Sequence, residues 1–157
     1  MTGVIVDTVR ASRDGHQYHE AWLARRALGL LLPRDGLCGI AIEGLSTDLE
    51  EGAEQAIIEV ADATFFFGAR ASFDEASKIA VTQFKYSIAR ATKEIRFSDI
   101  RTTVEKFWQS ESSFVKRYGE GPTVQKFSYV ITTNRPISPD LIEALAGCAE
   151  GISFLGP

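Results

Sequence analysis

The spacing of hydrophobic positions changes several times along this chain, and each change marks an element. Over residues 17–32 the apolar side chains Trp22, Leu23, Leu28, Leu30, Leu31 and Leu32 fall on several sides of a helix, which predicts a largely buried one. Pro33-Arg34-Asp35-Gly36 supplies turn chemistry, and a short strand over 38–43 follows. Residues 44–55 are polar, acidic and without period, and read as a loop. Residues 57–67 and 78–86 are rich in β-branched and aromatic types and flank a polar connection over 68–77, the pattern of an antiparallel hairpin. A hairpin tip near Ser72 and Phe73 pairs residues whose numbers sum to about 145, which sets Asp62 opposite Gln83.

From Ser98, the expected N-cap, the period becomes helical, with Ile100, Val104, Phe107, Trp108, Phe114, Val115 and Tyr118 on one stripe. Gly119-Glu120-Gly121-Pro122 is expected to end that helix, and a fourth strand over 126–133 follows. Ser138-Pro139-Asp140 opens a final helix, with a hydroxyl cap, a proline in the first turn and an acid at the positive dipole end. Its apolar positions are Leu141, Ile142, Leu145 and Cys148. The order helix, three strands, helix, strand, helix predicts an α/β fold: a central mixed sheet flanked by helices on both faces.

Length then sets the scale. At 157 residues and 45% hydrophobic content, the chain suffices for one well-buried core and is too short for two ordinary domains, so residues 1–157 are expected to form one. Cys38 and Cys148 lack metal-ligand spacing, and His16 and His19 have no cysteine nearby to complete a zinc set, which points to a reduced, cytoplasmic, zinc-free protein. No secretory signal pattern opens the chain, and no apolar run approaches the roughly 20 residues needed to cross a bilayer. The two histidines read as polar residues at the start of the first helix, while Trp22, Phe107 and Trp108 read as core.

Charge divides the middle of the chain. Between Asp35 and Glu75 ten acids stand against Arg70 alone, whereas from Ala76 to Lys106 seven bases outnumber three acids. The plain reading is an acidic loop followed by a solvated helix surface. The chemical reading is a carboxylate-rich stretch holding a divalent cation beside a basic stretch holding the polyanion on which it acts.

Asp62, Gln83 and Lys85 decide where such chemistry would sit. An acid and a lysine among apolar strand residues are unfavourable to bury unless a metal, a partner or a phosphate compensates them. Side chains alternate across a strand, so Gln83 and Lys85 share a face with Ile79 and Val81, and the register adds Asp62. Phosphodiester hydrolysis uses each of these types. Asp62 and a second carboxylate would hold a divalent ion, Gln83 would add a neutral ligand or orient water, and Lys85 would stabilise charge in the transition state. The second carboxylate is open among Glu20, Glu43 and Glu59, with Glu59 ranked last because it points to the opposite face of a regular strand. The plain alternatives are a turn-capping Asp62 and a Lys85 that snorkels to solvent.

With these residues in view, the chain resembles the restriction-endonuclease-like PD-(D/E)xK superfamily. In particular it is similar to the N-terminal double-stranded DNA endonuclease domain of CBASS-type effectors, from cyclic-oligonucleotide antiphage systems, and of related defence proteins. The matching segments are Gly15-His16-Gln17-Tyr18-His19-Glu20, Glu59-Val60-Ala61-Asp62, Gln83-Phe84-Lys85 and Thr132-Thr133-Asn134-Arg135. The resemblance implies an αβββαβ core, Mg²⁺ or Mn²⁺ as cofactor, and catalysis by Asp62, Gln83, Lys85 and Glu20. It implies metal contacts from Asp62, Gln83, Glu20 and Glu43, and DNA contacts from Arg90, Lys93, Arg96 and Arg135. Gln83 stands where many members have an acid, which gives Glu20 more weight. The resemblance further implies a longer effector with a sensor domain or subunit, activation as a homo-oligomer, no membrane partner, and a linker over 151–157. A catalytically inactive nucleic-acid-binding or assembly module, and an RNA nuclease on the same scaffold, are the alternatives.

Overall fold

The computed structural model describes residues 3–31, 35–45, 60–148 and 152–155. Helix α1 spans Gly3–Leu31, followed by strands β1 (Leu37–Ile42), β2 (Ala63–Gly68) and β3 (Ala76–Lys85). Helices α2 (Phe97–Tyr118) and α3 (Glu120–Lys126) lead to β4 (Phe127–Thr133), and α4 (Pro139–Cys148) leads to β5 (Ile152–Leu155). Among the described residues these strands form one mixed sheet in the order β1-β2-β3-β4-β5. The first three make an antiparallel meander, β4 lies parallel to β3, and β5 lies parallel to β4.

Alternation along the strands sorts side chains into two cores. Phe66, Ile79, Val81, Tyr129 and Ile131 pack with Ile100, Phe107 and Phe114 of α2 and with Leu141 and Leu145 of α4. Their neighbours Phe65, Ala80, Phe84 and Val130 pack on the other face with Leu23 and Trp22 of α1. Each large side chain buried this completely, Phe66 and Ile79 at 0% exposure among them, adds about 1.5–3 kcal/mol of hydrophobic stabilisation. β4 is buried at all seven positions, as suits a parallel strand covered on both sides.

The β2–β3 register runs from Ala63 opposite Thr82 to Phe67 opposite Lys78 and slips by one only at Gly68. Gly68 has φ +125, and a Cβ there would come within 2.7 Å of the Ser77 nitrogen, so glycine is needed where the hairpin turns. Carried one residue beyond Ala63, the same alignment brings Asp62 opposite Gln83.

Several elements differ from the sequence reading. α1 starts at Gly3, so His16 and His19 lie well inside it, and Leu28 and Leu31 are 62% and 76% exposed rather than buried. β2 begins at Ala63; Val60 and Ala61 are buried ahead of it without strand pairing. Arg96, not Ser98, is the N-cap of α2: its N–H donates to the Asp99 carboxylate (3.1 Å). Trp108 faces outward at 68% exposure. Gly119 does end α2, at φ +87, but Gly121 and Pro122 lie within α3, where a first-turn proline lacks only an N–H that would have had no helical partner. Residues 152–155, within the segment read as a linker, pair in register with β4. Glu59 and most of the predicted 44–55 loop lie outside the described residues. No described helix is long and apolar enough to cross a membrane.

Candidate active site

β3 and β4 end side by side, with Lys85 opposite Thr133. The loops leaving these carboxyl ends, and the residue entering β2, bring the polar side chains together. Asp62 is half-buried at the bend before β2, and its backbone carbonyl accepts the Glu43 N–H (2.8 Å), which closes the end of the β1–β2 ladder. Its carboxylate takes over where that ladder stops: Oδ2 accepts the Phe84 N–H at 2.6 Å and the Gln83 Nε2 at 2.9 Å. Oδ1 accepts no hydrogen bond from a described residue. One oxygen of Asp62 therefore completes the sheet, and the other has no hydrogen-bond partner among the described residues.

Gln83 is held between two layers. Its amide nitrogen donates to Asp62, and its Oε1 accepts from the Thr103 hydroxyl of α2 across 3.4 Å. Lys85, two positions on along the same face, has its backbone carbonyl hydrogen-bonded by Thr133 Oγ1 (2.8 Å). Burial pushes the Lys85 ammonium below the usual lysine range, the Asp62 carboxylate works against that shift, and Lys106 of α2 adds to it. Asp62 and Lys85 are thus within electrostatic reach of each other.

The remaining sequence candidates are scattered. Glu20 is exposed on α1, and no hydrogen bond or ion pair joins it to Asp62 or Gln83. Glu43 is a backbone neighbour of Asp62 but exposed, with φ +54, in the left-handed region that favours glycine. Arg90, Lys93 and Arg96 are exposed on the loop between β3 and α2. Arg135 is placed otherwise than the sequence suggested. It is only 6% exposed, its Nε donates to the Lys93 carbonyl (2.8 Å), and its Nη2 donates to the Glu94 carbonyl and to Asp99 Oδ2 (2.9 Å). That guanidinium ties the loop after β3 to the loop after β4 and offers little to a DNA backbone.

His19, Thr103 and Lys106 are residues the sequence reading did not place here. On the α1 side His19 comes within electrostatic reach of Asp62, and its ring lies over Phe84 with centroids 4.7 Å apart. Burial lowers the His19 pKa, while Asp62 and Glu43 oppose that and His16 adds to it. Thr103, Lys106 and Ser110 sit on the sheet-facing stripe of α2, and polar residues on an otherwise apolar stripe were the available signal. Tyr18 of α1 stacks on Tyr86, centroids 4.3 Å apart, and closes the opposite side of the β3 terminus.

No three His, Cys, Asp or Glu side chains converge among the described residues. The donors at the junction are Asp62 Oδ1 and the Gln83 amide. This set does not fit a tightly held resident metal. It fits a hard cation such as Mg²⁺, which keeps most of its waters and is held by one or two carboxylates together with substrate phosphate. The chain matches no protein-family model, and no curated protein matches it.

Proposed function

We propose that this chain is a metal-dependent endonuclease domain of the PD-(D/E)xK type, hydrolysing phosphodiester bonds of double-stranded DNA. The observation that carries the proposal is the junction of Asp62, Gln83 and Lys85 where β2 begins and β3 ends. The order of elements supports it as well, since helix, antiparallel meander, crossover helix and parallel strand follow one another as in that superfamily's core. The role in antiphage defence, the sensor partner and activation by oligomerisation rest on the resemblance alone.

Hydrolysis adds water across a P–O bond: the water oxygen joins phosphorus, and the leaving oxygen departs with a proton. When bound, Mg²⁺ or Mn²⁺ supplies Lewis-acid polarisation of the phosphate. Asp62 Oδ1 provides the negative ligand for that cation, oriented by the two hydrogen bonds on Oδ2. Gln83, fixed between Asp62 and Thr103, orients water beside the phosphate. Lys85 carries its ammonium into a half-buried setting, where a positive charge facing the developing phosphorane charge is worth more than in water.

Plasmid nicking and linearisation with Mg²⁺ tests the reading. Wild type is expected to cleave, Asp62→Asn not to, and Lys85→Ala about 10²–10³-fold more slowly. Equal activity in all three retires the enzyme assignment. The second reading, a binding module without catalysis, is favoured by one feature: Asp62 already serves the sheet through Phe84, and among the described residues no group of three His, Cys, Asp or Glu side chains forms around it. DNA binding without cleavage, even in a forced oligomer, would support that reading.

A further inference from the structure

Next to Lys85 the chain forms a cleft of about 210 Å³ between the loop after β3, the first turn of α2 and the loop after β4. We infer that this cleft seats a second phosphate of the nucleic-acid strand, adjacent to the one acted on at Asp62 and Lys85, with Arg90 as its principal ligand. The inference rests on the nuclease reading for the identity of the polymer, while its own support comes from the cleft.

Size argues for a phosphate group over a whole nucleotide, because pockets for small molecules run from about 300 to 1,000 Å³ and this one is smaller. The aromatic ring at the wall, Tyr86, has one face already stacked on Tyr18. Charge argues for an anion. Lys85, Arg90 and Arg135 line the cleft against the single acid Asp99, above the buried Ile95.

The two arginines divide the work. Arg135 is buried, with its Nε and Nη2 engaged by two carbonyls and Asp99, so it contributes mainly fixed positive charge. Arg90 is 59% exposed, and its Nη1 stands 3.8 Å from Asp99 Oδ1, beyond hydrogen-bond range. Its planar donor pair is therefore available to a phosphate, the geometry guanidinium groups match best. Asp99 tolerates the exchange. The Arg96 N–H, and then Arg135, hold its carboxyl below the usual carboxylate range, so it stays paired when Arg90 turns away. Lys85 belongs to both the junction and the cleft. Because Lys85 and Arg90 line one cleft, a strand whose phosphate meets Lys85 presents a neighbouring phosphate to Arg90.

The test measures affinity of the full chain for a labelled DNA duplex in EDTA, across 50–200 mM salt, by fluorescence anisotropy. Arg90→Ala is expected to weaken binding about tenfold at low salt and to reduce the log–log salt slope by about one. Arg90→Lys should keep the slope and lose part of the affinity. Arg101→Ala, which removes an exposed arginine paired with Glu105 elsewhere on α2, should change neither. A single methylphosphonate scanned along the duplex should have one position that penalises wild type and leaves Arg90→Ala unaffected. An unchanged slope in Arg90→Ala, or an equal loss in Arg101→Ala, overturns the inference even if cleavage depends on Lys85 and Asp62. If the slope falls as expected while wild type never cleaves, the cleft stands and the nuclease reading falls. A wild-type chain that binds no duplex overturns both.

Discussion

Lys85 and Arg135 sit at the ends of adjacent parallel strands, yet they occupy opposite situations. Arg135 is nearly fully buried and bonded to two carbonyls and a carboxylate. Lys85 is half-buried, its pKa lowered by burial, and among the described residues no ion pair or hydrogen bond holds its ammonium. A charge bonded to the protein on several sides holds the fold together, whereas a charge carried partway in without such bonds among the described residues awaits a partner from outside. Both cations look alike in sequence as candidates for nucleic acid. The count of their partners separates them.

The largest way to break this comparison is Arg135→Ala. Removing the buried guanidinium leaves the Lys93 and Glu94 carbonyls without its hydrogen bonds and takes one partner from Asp99, and is expected to lower unfolding free energy by about 1–3 kcal/mol in chemical denaturation. A loss under 1 kcal/mol would mean the network is ornamental. Lys85→Ala should do the reverse, leaving stability within about 1 kcal/mol while cutting Mg²⁺-dependent cleavage about 10²–10³-fold, as for other groups that stabilise transition-state charge.

Asp62 combines both situations in one side chain, so two substitutions should split them. Asp62→Asn keeps an acceptor for the Phe84 N–H and should fold nearly as well as wild type, whereas Asp62→Ala leaves that N–H unpaired and should cost about 1–3 kcal/mol. Cleavage should vanish in both. Equal stability of the two variants would remove the structural role assigned to Oδ2.

The smallest expected effects are in pH. The folded-state pKa of Lys85 lies below the 10.5 of an unburied lysine, so between those values the unfolded chain binds more protons and stability rises with pH. The Asp99 pKa lies below 3.8, so its stabilisation is complete above that value and disappears as pH falls through the folded one. Denaturation series should lose the alkaline slope in Lys85→Ala and the acid slope in Asp99→Asn, each without the other.

Much of the site was legible in the chain itself, because it depends on a local hairpin. The polar connection, residues 69–75 between the strands, fixes their pairing, and strand alternation then assigns Gln83 and Lys85 to one face with Ile79 and Val81. The α/β class was legible for the same reason, through the switches between periods of two and 3.6.

What the linear pattern could not reach were the features supplied by distant segments. Helix α1 extends back to Gly3 because adding residues to an existing helix is easy even where no apolar stripe announces it. β5 is a strand only because β4 offers it an edge. Arg135 reads as a surface cation until Lys93, Glu94 and Asp99 surround it, and His19 reads as a polar helix residue until the rotation of α1 brings it over Phe84 and within reach of Asp62. The amino-acid order thus determined the elements and the hairpin partners, whose interactions are short in sequence. Tertiary packing alone decided which charges are satisfied and which stay open, since that depends on groups some forty residues away reaching the same few ångströms.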